Sequence, residues 1–243
     1  MLCAKLGLMY LDKMVTVAMP AYNEEKSISH VVKGFLDNEY VDEVVVADNN
    51  SSDRTKERAL KAGARVVGED RRGYGYACRR ALKEAKGDYI ILVESDGTFS
   101  SADVAKLLAY SDNFDVVLGT RTSKELIWDG ANMGVFLKWG NWFLGKMIEV
   151  LYNGPSLTDA GCTFRLMKRR ALNKVSSKFE VGGSHFSPEM IILLIKNNVR
   201  MIEIPVNYRP RVGESKITGE GKWKAFLLGL TMIKLMFVHK VRS

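Results

Sequence analysis

The chain has 243 residues, 47% of them hydrophobic and 26% charged, with three cysteines and a formal net charge of +8. That is one domain-sized chain with material for a full core, and Cys3, Cys78 and Cys162 are spaced for neither a disulfide framework nor a zinc site, so a reducing compartment is expected. The charge is concentrated late, with ten Lys/Arg against three Asp/Glu from Lys196 onward, a bias that attracts phosphate in a nucleic acid, an anionic membrane or a ligand, or that merely solvates one face.

In chain order, Met1 to Leu11 is apolar but short and lacks a small-residue cleavage site, so no secretory signal is expected. Val15 to Met19 reads as a first strand, with Pro20-Ala21-Tyr22-Asn23-Glu24-Glu25 as the loop after it. Ile28, Val31, Val32, Phe35 and Leu36 then recur at helical spacing. Val44 to Ala47 is a second strand, and Asp48 to Asp53 a polar loop suited to capping a helix over Arg54 to Ala62. Gly63 ends that helix, Arg65 to Val67 is a short strand, and Tyr74 to Ala85 a helix. Tyr89-Ile90-Ile91-Leu92-Val93 is a buried strand that runs directly into Glu94-Ser95-Asp96-Gly97. Asp115 to Leu118 is a further strand.

The second half is less regular. Gly134 to Leu151 reads as a long helix, with Trp128, Trp139 and Trp142 nearby. Thr163 to Met167 is an expected strand, Phe186 to Lys196 a helix, and Arg200 to Tyr208 extended, with Pro205 favouring a sheet edge. Arg209 to Gly221 is a basic Gly-rich loop. A final helix runs from about Lys222 to His239, and its apolar stretch is too short for the roughly 20 residues that span a bilayer. Strands alternating with helices predict an α/β fold, a parallel sheet with helices on both faces. The loops after strands one, two and four then gather Tyr22, Asp48, Glu94 and Asp96 along one edge, where ligands of open α/β sheets bind. Two carboxylates there suit a hard divalent cation carrying phosphate oxygens, although acidic residues are also ordinary turn formers.

Read together, the motifs resemble those of the family 2 glycosyltransferases, and among them the dolichyl- or polyprenyl-phosphate sugar synthases. The resemblance extends from about Val15 to Val238. It rests on Met19 to Glu25, Ala47 to Asp53, Arg72-Gly73-Tyr74-Gly75, Glu94-Ser95-Asp96 in the place of the DxD metal motif, Gly119-Thr120-Arg121, Asp159 to Arg165, and Arg211 to Lys216, in the family's order. It implies a GT-A fold over residues 14–221, a Rossmann-like, mostly parallel central sheet flanked by helices, preceded by an extension at 1–13 and followed by an amphipathic helix at 222–243. It also implies a nucleoside-diphosphate-sugar donor and Mg²⁺ or Mn²⁺. Two positions depart from the pattern: Glu94 stands where many relatives have Asp, and Thr98 where some carry a metal-contacting residue.

The resemblance further implies residue roles. Pro20, Tyr22, Glu24, Asp48, Arg72, Gly73 and Ser95 would hold the donor, with Asp48 on the base and Glu24 on the ribose or base edge. Glu94 and Asp96 would hold the metal, and Arg211 and Lys216 the diphosphate. Arg121 would bind an acceptor phosphate, with Lys138 and Arg165 as weaker candidates. A phosphate acceptor is already an anion and needs little general base, whereas a hydroxyl acceptor needs a carboxylate. Asp159 is the candidate for that base, or else the residue that orients Arg121 or Arg165; Glu189 is a possible support or a plain helix N-terminal carboxylate. The expected function is inverting transfer of a sugar to a polyprenyl (dolichyl-type) phosphate at the cytoplasmic face of a membrane, the protein being peripheral or monotopic. The alternative is the same fold acting on a carbohydrate or other hydroxyl acceptor. Nucleic acid is not an expected partner, because the basic tail has few aromatics for base stacking. Donor identity and oligomeric state stay open.

Overall fold

A computed structural model describes residues 10, 12–131, 133–213 and 222–242. The chain alternates β1 (Val15–Ala21), α1 (Ile28–Leu36), β2 (Glu43–Asp48), α2 (Thr55–Lys61), β3 (Arg65–Gly68), α3 (Tyr74–Glu84), β4 (Tyr89–Leu92), α4 (Val104–Ser111) and β5 (Val116–Thr120). It continues with α5 (Val135–Tyr152), β6 (Arg165–Lys168), α6 (Arg169–Val175), α7 (Phe186–Lys196), β7 (Met201–Pro205) and α8 (Lys222–Val241). Helical spacing of Ile28, Val31, Val32 and Phe35 buries one face of α1 against the sheet. Burying each such side chain stabilises the fold by roughly 1.5–3 kcal/mol.

The seven strands lie in the order β3-β2-β1-β4-β6-β5-β7. All neighbours are parallel except β6, which runs antiparallel to both β4 and β5. Apolar cores cover both faces. The chain proceeds outward from β1 through β2 to β3, then returns to place β4 on the other side of β1. The crevice beyond the carboxyl ends of β1 and β4 is therefore the switch point where open α/β sheets bind ligands.

Several local details differ from expectation. Strand β6 begins at Arg165, so Thr163 and Phe164 precede it. Helix α4 follows a 3₁₀ turn capped by Ser100, whose Oγ accepts the Ala102 N–H at 3.3 Å, and α6 is a short helix directly after β6; neither was anticipated from the sequence. Pro205 ends β7, an outer strand of the sheet. Helix α8 buries Met232, Met236 and His239 while exposing Trp223, Phe226, Leu227, Leu230 and Phe237. Its apolar surface therefore extends well beyond the face that packs on the domain. Of the expected N-terminal extension, only residues 10, 12 and 13 are described. Lys216 and the rest of 214–221 lie outside the described residues.

Candidate active site

Three loops are stitched together on one side of the crevice. Asn23, in the left-handed region at φ 51°, donates its N–H to Ser51 Oγ at 3.0 Å. Its Oδ1 accepts the Ser52 N–H at 2.8 Å. The Asn49 side-chain amide donates to the carbonyls of Glu69 and Arg71 and accepts the Gly73 N–H. Gly73 is itself constrained: at φ 149° a Cβ would stand 2.2 Å from the Gly182 carbonyl oxygen. These ties enclose a cavity of about 310 Å³ lined by Pro20, Tyr22, Glu24, Arg72, Gly73 and Ser95, with Asn49 and Tyr74. Asp48 ends β2 beside Ala21. Its Oδ2 accepts a long bond from the Ser51 N–H, 3.4 Å, while its buried Oδ1 has no partner among the described residues. A buried carboxylate oxygen without a donor is costly unless a ligand supplies one. Ser95 spends its hydroxyl proton on the Pro20 carbonyl, 2.9 Å, tying β4 to β1.

Glu94 and Asp96 follow β4. Glu94 Oε1 accepts from Thr163 Oγ1 at 3.1 Å and from the Tyr74 hydroxyl at 3.3 Å, and those two hydroxyls are 2.7 Å apart. Burial, then the neighbouring Asp96 charge, pushes the Glu94 carboxyl up to about 7. Asp96 Oδ1 accepts the Thr98 N–H and hydroxyl at 3.0 and 2.6 Å. Thr98 thus acts on Asp96, across a turn that Gly97 makes at φ 83°. Two backbone bonds, Arg209 N to Thr98 O and Val212 N to Asp96 O, lay residues 209–212 across this turn. Arg211 consequently pairs with Glu24 through Nη2 and with Asp96 through Nη1. Burial works against its charge, but Asp96, Glu24 and Glu94 hold it above its usual range.

Among the described residues no group of three or more His, Cys, Asp or Glu side chains is placed to hold a metal. Glu94 and Asp96 nevertheless form a hard-oxygen pair lining this cavity. That set fits a Mg²⁺ or Mn²⁺ ion that takes its other ligands from phosphate and water.

A second cavity, about 360 Å³, shares Tyr74, Glu94, Asp96, Ser184 and Arg211 with the first. Its polar end carries Arg121, Thr163 and Tyr208, and its walls come from Phe136, Leu137, Phe143 and Leu144 of α5 and Phe226, Leu230, Met232 and Ile233 of α8. Arg121 donates from Nε and Nη2 to the two oxygens of Asp159 at 2.8 and 2.9 Å, and its backbone N–H adds a third bond. Burial opposes its charge, yet Asp159 holds it well above its usual range. Its guanidinium also lies over the Tyr208 ring, 5.2 Å from the centroid.

The remaining candidates lie elsewhere. Lys138, on α5, lines neither cavity. Arg165 is fully buried, bonded to Cys162 O and to Ser187. Glu189 is fully buried and accepts the backbone N–H groups of Glu180 and Val181, which makes it a support for the loop beside Gly73. Tyr74, Thr163 and Ser184 were not anticipated at the site. Tyr74 sits inside the Arg72–Gly75 motif and Thr163 inside Asp159–Arg165, but nothing local marks Ser184.

The family model for glycosyl transferase family 2 matches residues 16–176. The low-salt glycan biosynthesis hexosyltransferase Agl6 of Haloferax volcanii is 33% identical over 231 residues, covering 93% of this chain but only 53% of that protein. The dolichyl-phosphate hexose transferase of the same organism is 28% identical over 235 residues, covering 94% of this chain and 96% of that one. Among solved structures, glucosyl-3-phosphoglycerate synthase from Mycobacterium tuberculosis, crystallised with Mn²⁺, UDP and phosphoglyceric acid, superposes with a TM-score of 0.71 at 17% identity, covering 95% of this chain and 79% of that one. This likeness establishes the GT-A fold.

Proposed function

The chain belongs to glycosyl transferase family 2, and on that premise we propose that it transfers a hexose, with inversion, from a nucleoside-diphosphate sugar to a polyprenyl (dolichyl-type) phosphate at a membrane surface. One observation carries this reading. Two cavities meet at Glu94, Asp96 and Arg211, and the second joins apolar helix walls to a buried, oriented arginine. An acceptor with an anionic head and an isoprenoid tail matches both ends of that cavity. The full-length likeness to a dolichyl-phosphate hexose transferase supports the same acceptor class.

In this reading the donor base meets the buried Asp48 Oδ1, and Tyr22, Glu24, Arg72 and Gly73 surround the nucleoside. Ser95 acts by fixing the β1 loop. Glu94 and Asp96 would hold Mg²⁺ or Mn²⁺, which, when bound, neutralises charge developing on the departing diphosphate. Arg211 leaves its carboxylate partners for the diphosphate, aided by Lys216. Arg121 aims the acceptor phosphate at the anomeric carbon, on the face opposite the leaving group. A phosphate nucleophile needs no proton removed, so positioning and charge stabilisation supply the catalysis. Asp159 has both oxygens committed to Arg121, which favours an orienting role over that of a base for a hydroxyl acceptor.

Residues 14–221 form the catalytic unit in this reading, with α8 as a wall of its acceptor cavity. No described helix is long and apolar enough to cross a membrane. Exposed Trp139, Trp142, Phe143, Trp223 and Phe226, with Lys224, Lys234 and Lys240 on the acid-free α8, suit seating in a lipid interface. The test is to incubate purified protein with farnesyl phosphate, Mn²⁺ and a panel of UDP- and GDP-hexoses. Formation of a prenyl phosphohexose of inverted anomeric configuration is expected. Transfer to hydroxyl acceptors alone overturns the reading.

A further inference from the structure

Glu203 lies in the middle of β7, opposite Leu118 of β5, and lines neither cavity. Its carboxylate is nonetheless fully engaged with the loop that precedes β6. Oε2 accepts both the N–H and the hydroxyl of Thr158 at 2.6 Å, and Oε1 accepts the Asp159 N–H at 3.0 Å. That loop has no regular secondary structure between the end of α5 and β6, so its backbone groups depend on such partners for their placement.

The bonds continue to the acceptor arginine by two routes. Along one, Asp159 takes Nε, Nη2 and the backbone N–H of Arg121. Along the other, the Thr158 hydroxyl gives its proton to Glu203, so its oxygen is left to accept from Thr120 and Thr122, 2.9 and 3.0 Å away. Those threonines flank Arg121 in sequence. Backbone and side chain of Arg121 are thus both referred to one carboxylate on a neighbouring parallel strand. Arg121 also lines the second cavity, where a ligand can reach the guanidinium.

We propose that Glu203 is a positioning residue for glycosyl transfer, setting the orientation of the Arg121 guanidinium through Thr158 and Asp159 and thereby the affinity for the acceptor's phosphate. The inference rests on the reading of Arg121 as the acceptor-phosphate site. It also predicts a sign. Replacing Glu203 by Gln removes a negative charge near an anion site, which by Coulomb's law alone would tighten phosphate binding. Loss of the positioning bonds acts the other way, because Gln cannot accept all three donors.

The test measures binding of farnesyl phosphate by calorimetry, and KM for farnesyl phosphate and for the nucleotide sugar separately. Glu203→Gln should weaken farnesyl phosphate binding on the order of tenfold, the low end for residues that act one step behind a ligand-binding group. Its donor KM should be unchanged. Glu203→Asp, which keeps the charge but shortens the reach, should weaken binding likewise, and serves if the Gln variant does not fold. Unchanged or tighter binding in a folded variant overturns the proposal. If wild-type protein binds no farnesyl phosphate, the acceptor assignment is what fails. The positioning role is then judged from the Arg121 Nε–H resonance, whose exchange with solvent should be slow in wild type and at least about tenfold faster in Glu203→Gln; equal exchange overturns it.

Discussion

Nη1 of Arg211 stands 3.1 Å from Oδ2 of Asp96, so a protein cation neutralises the carboxylate on which a divalent ion is expected to sit. Arg211 and the ion compete for Asp96 until a diphosphate offers the guanidinium another partner. Arg211→Ala should therefore bind Mn²⁺ more tightly than wild type in the absence of nucleotide. Its turnover should fall by roughly 10²–10³, as for other groups that stabilise charge in the transition state. A manganese titration followed by electron paramagnetic resonance checks the first part. Unchanged nucleotide-free affinity would mean that the pair does not gate the metal.

Asp48 Oδ1, unpartnered among the described residues, makes a second prediction. A hydrogen bond to a charged group contributes about 1.5–3 kcal/mol, so Asp48→Ala should lose about tenfold or more in nucleoside-diphosphate affinity. The acceptor KM should be unchanged and the melting temperature should fall little, because in the free protein the carboxylate accepts a long bond, 3.4 Å, from the Ser51 N–H. Thermal melting with and without UDP or GDP separates the two effects.

Glu94 predicts a pH dependence of stability. Its folded carboxyl is lifted from 4.5 to about 7, so the folded chain holds this proton more tightly than the unfolded one. The associated stabilisation is complete below about pH 4.5 and is lost as pH rises through about 7. Without metal, Glu94→Gln should therefore gain in melting temperature relative to wild type between about pH 5 and pH 8. Mn²⁺ selects the ionised carboxylate, so it should stabilise wild type more at the higher pH and the Gln variant little at either. A melting-temperature difference that does not vary with pH would falsify the assignment.

The Arg121–Asp159 pair is nearly dry, with side chains 12% and 0% exposed. Removing one partner of a buried pair costs about 3–5 kcal/mol. Arg121 faces a cavity that water can enter, so Asp159→Ala should cost about 3 kcal/mol, at the lower end. The Arg121→Ala, Asp159→Ala double variant should recover part of that loss, as contacting residues couple. Urea unfolding of the four proteins measures the coupling, and strictly additive losses would show that the pair does not act as a unit.

Much of the donor half was legible in the chain. Ile28, Val31, Val32 and Phe35 announce α1 by their spacing, and Tyr89 to Val93 announce a buried strand by their unbroken apolarity. The polar stretches after strands one, two and four were correctly placed on one edge, because parallel strands joined by helices all present the same end. Ser184 is not legible, being a common polar residue in an irregular loop, and although Thr163 falls inside the Asp159–Arg165 motif, its bond to Glu94 arises only from what folds against it. Glu203 was hidden in the same way, inside a strand read only for its extended pattern.

The sequence by itself determined the fold class and the family, since hydrophobic periodicity and short motifs in fixed order are local properties of the chain. Only the tertiary structure decided that Arg211 closes on Glu24 and Asp96, that Asp159 serves Arg121, and that α5 and α8 wall one cavity. Each of these joins residues far apart in sequence. The strand order and the backbone bonds that pin 209–212 across the Asp96 turn bring them within hydrogen-bonding reach, where interactions that fall off over a few ångströms assign the roles.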